Sequence, residues 1–271
     1  MKKIKKLFKG LSILLKKPYL LNNVINSQEV FEEKAKRLYN LPYGLPQLDI
    51  ELLFPEFKEV VEPFAFLDGG SLPIDLALLK ALAQKYKVEN YLEIGTWRGE
   101  SVANVASVVK NCYTINLSDE DMYKMNFPPD YIKSHRFFSK DLPNVKHIQA
   151  HSHKFDFSTL PILFDMVFVD GSHHYEDVKK DTQTAFSILK SNASIIVWHD
   201  YAASPETIRW DVMLGILDGC PPEKRKNIYH ISNTLCAVYL KENFVINFMR
   251  PYLKPNKRFK VNISTNGLFC F

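Results

Sequence analysis

The sequence predicts a doubly wound α/β domain with a mostly parallel sheet, on three observations. An apolar run stops at a glycine and restarts as a helix within Tyr91–Ser101. Buried runs rich in Val, Ile and Phe then alternate with helical patterns over residues 112–198. Two strands only a few residues apart, 227–231 and 235–240, close the pattern as a hairpin.

In the first unit Tyr91, Leu92 and Ile94 read as a buried strand, Gly95 and Gly99 as a tight turn, and Ser101–Val109 as a helix. Glycines let the backbone approach a ligand, and a helix start offers unpaired N–H groups. The spacing is Gly-x-x-x-Gly with Glu93 two residues before it. That differs from the Gly-x-Gly-x-x-Gly that wraps a pyrophosphate, so a ligand without phosphates fits better.

The second strand is Cys112–Leu117, and after it Asp119–Asp141, carrying Pro128 and Pro129, reads as a partly helical insertion near the ligand crevice. Val145–Ala150 is the third strand, with His151, Ser152 and His153 in the turn beyond it. Phe164–Val169 is the fourth and delivers Asp170 to the sheet edge, ahead of a helix over Tyr175–Leu189. On that helix Asp177 and Asp181 read as surface charges, with Lys180 able to pair with Glu176. Ser194–Trp198 is the fifth strand and delivers His199 and Asp200. Asp170 and His173 thus sit in the crevice, and because strands four and five are neighbours in such a sheet, Asp170, His199 and Asp200 can converge. Ser204-Pro205-Glu206 reads as an N-cap and N1 proline for a helix to about Leu217, with Arg209 and Trp210 facing either the crevice or the core. Upstream, Ser71 is the expected cap of a helix over Leu72–Tyr86, Gln28–Tyr39 a short charged helix, and 41–63 a proline-punctuated loop.

Glu93-x-Gly95-x-x-x-Gly99 resembles the first motif of the class I S-adenosylmethionine-dependent methyltransferases. The resemblance implies a Rossmann-like, seven-stranded sheet with an antiparallel last strand. It also implies that Glu93, Gly95, Thr96, Gly99 and Ser101 line the cofactor site. Members of that family carry an acid at the end of the second strand for the ribose hydroxyls. Here Asn116 stands there, with Ser118 beside it and Asp119 further on. Ser152 occupies a place where family members contact the adenine, and Asp170 borders the same crevice.

Asp170-Gly171-Ser172-His173-x-Tyr175, followed by His199-Asp200, resembles the branch of metal-assisted sugar O-methyltransferases and the cephalosporin hydroxylase relatives. By that resemblance Asp170 and Asp200 are ligands of magnesium or another divalent cation, His173 is the base, and His199 stands where the family has an acid. The expected function is O-methylation of a sugar or glycan hydroxyl. A metal-independent small-molecule O- or N-methyltransferase and a non-catalytic S-adenosylmethionine-binding protein stay open.

Seven of the 35 basic residues lie in the first seventeen positions, which contain no acid; the rest has 28 basic against 30 acidic residues, a net of −2. An electrostatic footprint for nucleic acid is therefore missing from the body of the chain. Ile4, Leu7, Phe8, Leu11, Leu14 and Leu15 share one helical face among those lysines, a run too short to span a bilayer. The segment suits either an anionic membrane surface, on its inner face, or packing on its own domain or a second subunit. Cys112, Cys220, Cys236 and Cys270 show no metal or disulfide spacing, which suits reduced thiols in a cytoplasm. The expected organisation is a basic helix over 1–18, a helical lid addition over 19–88 with a place in subunit contacts, a methyltransferase domain over 89–241 and an extension over 242–271.

Overall fold

The structure, a computed structural model, describes residues 2–250, 254–265 and 267. Its strands are β1 (Pro46–Leu48), β2 (Asn90–Ile94), β3 (Asn111–Asn116), β4 (Val145–Gln149), β5 (Met166–Val169), β6 (Ile195–Trp198), β7 (Ala202–Ser204), β8 (Thr207–Ile208), β9 (Ile228–Ile231), β10 (Ala237–Tyr239) and β11 (Asn247–Phe248). Its helices are α1 (Lys2–Lys16), α2 (Leu21–Ile25), α3 (Gln28–Tyr39), α4 (Ile50–Leu53), α5 (Pro73–Lys85), α6 (Glu100–Ala106), α7 (Asp119–Lys124), α8 (Pro129–Ser134), α9 (Tyr175–Ser187) and α10 (Trp210–Gly219).

One sheet runs β11-β1-β9-β10-β6-β5-β2-β3-β4. β2, β3, β4, β5 and β6 pair in parallel, and β10 lies antiparallel between β6 and β9. The chain moves outward from β2 through β3 to β4 and then returns to β5 on the other side of β2. The strand order reverses there, and in doubly wound sheets ligands bind at the carboxyl ends beside that reversal. Seven strands were expected and the sheet has nine among the described residues: β1 joins β9 in parallel and β11 joins β1 antiparallel. These additions are two and three residues long, too short to give a period-2 signal among prolines.

Both faces of the parallel strands are apolar because both are covered. Leu92, Ile94, Val167, Val169, Ile196 and Trp198 pack on one side with residues of α3, α9 and α10. Their alternates, among them Tyr91, Cys112, Met166, Phe168 and Val197, pack on the other with α5 and α6.

Two local expectations are corrected. Ser71 does not cap α5: the Asp75 carboxylate, three residues into the helix, accepts from the Leu72 N–H at 2.8 Å instead. Ser204-Pro205-Glu206 starts no helix, because Pro205 and Glu206 form the turn between β7 and β8 and α10 begins at Trp210. Ser-Pro serves equally as a cap with an N1 proline and as the opening of a β-turn.

Candidate functional site

β2 ends in the glycine turn, and the turn is closed by the chain itself. Gly95 has φ +98°, and a Cβ there would stand 2.0 Å from the Asp170 carbonyl oxygen. A Cβ on Gly99, at φ +80°, would meet Ser139 Oγ at 2.2 Å. Both glycines are thus required by chain packing on chain, the first of which presses the turn after β2 against the loop after β5. Arg136 and Phe138 N–H groups donate to the Trp97 and Arg98 carbonyls, and Trp97 stacks near Tyr131 of α8 at 4.3 Å between centroids. The 119–141 insertion therefore roofs the turn.

Glu93 lies beneath the turn, fully buried, and accepts from the Tyr91 hydroxyl at 2.8 Å. Burial pushes its carboxyl up to about 8, outweighing that hydrogen bond. Its Oε1 and the Trp97 Nε1 are buried without hydrogen-bond partners among the described residues. Thr96 Oγ1 is 2.5 Å from Thr114 Oγ1, and Ser101 sits buried in the first turn of α6.

Asn116 stands at the tip of β3, partly exposed, with Nδ2 donating to the Leu117 carbonyl at 3.3 Å. Ser118 caps α7, and Asp119 is held by Arg136 at 2.7 Å. That leaves Asn116 as the polar side chain at the strand end. Ser152 does not face open space: its Oγ donates to Asp181 Oδ1 at 3.0 Å, and His153 Nε2 reaches the same oxygen at 3.2 Å. Asp181, read from sequence as a surface charge, is 2% exposed, and burial raises its carboxyl to about 6.

The acidic constellation converges as the strand order requires. Asp170 and His199 continue the ladders of β2, β5 and β6, with Asp170 N donating to Ile94 O and His199 N to Val169 O. His199 Nδ1 stands 3.1 Å from Asp170 Oδ1 and 3.6 Å from Asp200 Oδ2, out of line for a hydrogen bond to either. On the other side of the ring, Nε2 lies 3.3 Å from Asp75 Oδ2. Asp200 adopts φ +58°, a left-handed conformation that Asp tolerates better than most residues and that turns its carboxylate into the site. Arg209 Nη1 is 3.1 Å from Asp200 Oδ1, and His173 Nδ1 is 3.8 Å from Asp200 Oδ2. A cavity of about 10 Å³, room for a single ion or water, lies between residues 169–173 and 198–200.

The electrostatics follow. Burial opposes charge on His199, but the Asp170 carboxylate and contacts to Asp200 and Asp75 raise its pKa well above the usual histidine value. Asp200 is held down to about 2, since His199, Arg209 and His173 outweigh its burial. Burial pushes Asp170 up and His173 down, the latter helped by the Arg209 charge.

A residue that sequence reasoning missed is Asp75, fully buried, which also accepts from the Leu235 N–H at 2.9 Å. It stands in the first turn of α5, and its partner His199 is 124 residues away in sequence.

Residues 92–201 match the family described as "Methyltransferase domain". An uncharacterized protein of Acanthamoeba polyphaga mimivirus is 26% identical over 152 residues, covering 52% of this chain and 66% of that protein, a little under two thirds of its length. Among solved structures, the O-methyltransferase from Bacillus cereus in complex with SAH gives a TM-score of 0.45 at 15% identity, over 65% of this chain and 84% of that one. The SAH-bound methyltransferase of Podospora anserina gives 0.47 at 18% identity, over 78% of this chain and 97% of that one. The span that matches this family, residues 92–201, covers the glycine turn, the tips of β3 and β5, and His199 with Asp200.

Proposed function

We propose that the chain O-methylates a hydroxyl group of a sugar or glycan, with a divalent cation held by Asp170, His199 and Asp200. The observation that carries this reading is the His199 ring. Its Nε2 is tied to a buried carboxylate while its buried Nδ1, without a hydrogen bond, faces two more carboxylates. A metal-ligating histidine characteristically donates its second ring N–H to a carboxylate, so the donor set fits a cation. With one imidazole among the ligands the set is less hard than an all-oxygen site, favouring manganese or a later transition ion over magnesium.

The methyl donor is S-adenosylmethionine, for which the crevice offers Asn116, Asp170 and the backbone of the 95–99 turn, with Glu93 buried beneath that turn as its support. Acceptors and an acid suit ribose hydroxyls and a cationic ligand better than phosphates. Thr96, Gly99 and Ser101 shape that turn, while Ser118 and Ser152, engaged in α7 and with Asp181, contribute through the segments they fix.

When bound, the donor supplies an electrophilic methyl and the cation lowers the pKa of the acceptor hydroxyl. His173, whose pKa is pushed below the usual histidine value by partial burial and by Arg209, takes the hydroxyl proton at a ring nitrogen. Asp200 holds Arg209 and faces His173, steadying the imidazolium that forms. Asp75 fixes the His199 ring. A cytoplasmic, reducing setting belongs to this reading: Cys112, Cys220 and Cys236 are free and buried, and Cys270 lies outside the described residues.

A second reading is a metal-independent O- or N-methyltransferase, favoured by the raised pKa of His199, whose imidazolium balances the surrounding carboxylates by itself. Calorimetric titration with S-adenosylmethionine, then methyl transfer to a glycan panel with and without chelator, separates the two. Turnover lost on chelation supports the metal reading. Turnover indifferent to chelator supports the second, and donor binding without turnover on any hydroxylated acceptor supports a non-catalytic role.

A further inference from the structure

α1 is fully formed yet buries no residue, and it packs principally on the one-turn helix Pro18–Leu20 that follows it. On one face Ile4, Leu7, Phe8, Leu11 and Leu15 are 47–83% exposed. A contiguous apolar stripe of that kind on a folded chain marks a surface that meets something apolar. At 3.6 residues per turn, Lys2, Lys5, Lys6, Lys9 and Lys16 fall on the opposite side, and no acid precedes Glu29. Tyr19, Val24 and Ile25, just beyond, are exposed as well, at 60–64%.

We propose that α1 docks on an anionic lipid bilayer surface, lying in the interface plane with its apolar stripe among the acyl chains. The charge chooses the occupant. A second copy laid stripe to stripe would cover the apolar residues but leave the seven lysines of each segment on the outer faces, with no acid in either segment to pair them. The remainder of the chain carries only a net of −2, which makes it a poor partner for so basic a helix. A sheet of anionic headgroups accepts lysines all along the helix, whose aliphatic stems reach outward past the buried stripe. Among the described residues no helix is long and apolar enough to cross a membrane, so the contact is peripheral. This inference is independent of the acceptor and of the cation.

The test is sedimentation of the full chain with vesicles of phosphatidylcholine alone or mixed with phosphatidylglycerol, across a salt series. Binding to the mixed vesicles, at least about ten-fold tighter than to neutral ones and weakening as salt rises, is the expected result. F8E and L11E, which touch no buried contact, should each lower it by about ten-fold or more with an unchanged melting temperature. Wild-type chain that stays in the supernatant with anionic vesicles at low salt overturns the proposal. So does F8E binding as tightly as wild type. Ultracentrifugation showing a dimer that F8E dissociates, with no vesicle binding, would assign the stripe to a second copy and also overturn it.

Discussion

Asp75 Oδ2 lies 3.3 Å from His199 Nε2, joining the first turn of α5 to the tip of β6 across 124 residues of sequence. The contact fixes which ring nitrogen of His199 is free to face Asp170 and Asp200. Asp75 also accepts from the backbone of Leu72 and Leu235, so one fully buried carboxylate ties a helix start, a hairpin and the candidate metal centre.

D75N should therefore weaken divalent-ion affinity by about ten- to a hundred-fold while S-adenosylmethionine affinity stays within a factor of two or three. Calorimetric titration of each ligand into both proteins checks this. D75A, which strands two backbone donors, should also cost about 2–4 kcal/mol of stability in denaturant unfolding.

H173Q should lower kcat by about a hundred- to ten-thousand-fold with little change in donor binding, because it removes the proton acceptor and none of the turn. With His173 pKa below the usual histidine value, the wild-type rate should rise with pH along a limb displaced to the acid side of a free histidine. In H173Q that limb should be gone from the pH–rate profile.

Glu93 supplies a stability test with a definite sign. Its folded-state pKa, about 8, lies above its unfolded value, so the folded chain holds the extra proton. The stabilisation is full below the unfolded pKa and is lost as pH rises through about 8, at up to about 1.4 kcal/mol per pH unit. Urea unfolding between pH 5 and pH 8 should show stability falling in wild type and a flatter profile in E93Q.

G95A places a Cβ against the Asp170 carbonyl at a backbone angle that L residues rarely adopt. The expected loss is on the order of 2–5 kcal/mol, read from denaturant midpoints, with donor binding lost alongside it.

Much of this architecture is legible without coordinates where burial is complete on both strand faces. β5 and β6 are unbroken apolar runs, β2 and β3 mix apolar with a few polar residues, and the residues at the strand tips follow from strand order. What escaped has physical causes. Pro46–Leu48 is too short and too proline-bound to show alternation, yet pairs with β9 through backbone register. Asp181 repeats as a helix-surface residue would, and it is covered by the return of residues 152–153 over α9 and by the neighbouring Gly171 loop. Ser204-Pro205 satisfies two local rules, and the turn between β7 and β8 took precedence over the cap. Asp75 lies 124 residues from His199, so nothing nearby in sequence signalled that partner.

The central claim is that Asp170, His199 and Asp200 form one cation site. Titrating manganese into the full chain, with bound ion followed by electron paramagnetic resonance, tests it most directly. One site in wild type, lost or weakened at least about ten-fold in both D170N and H199A, is the predicted result. An absent site, or one of equal affinity in the two variants, would contradict it.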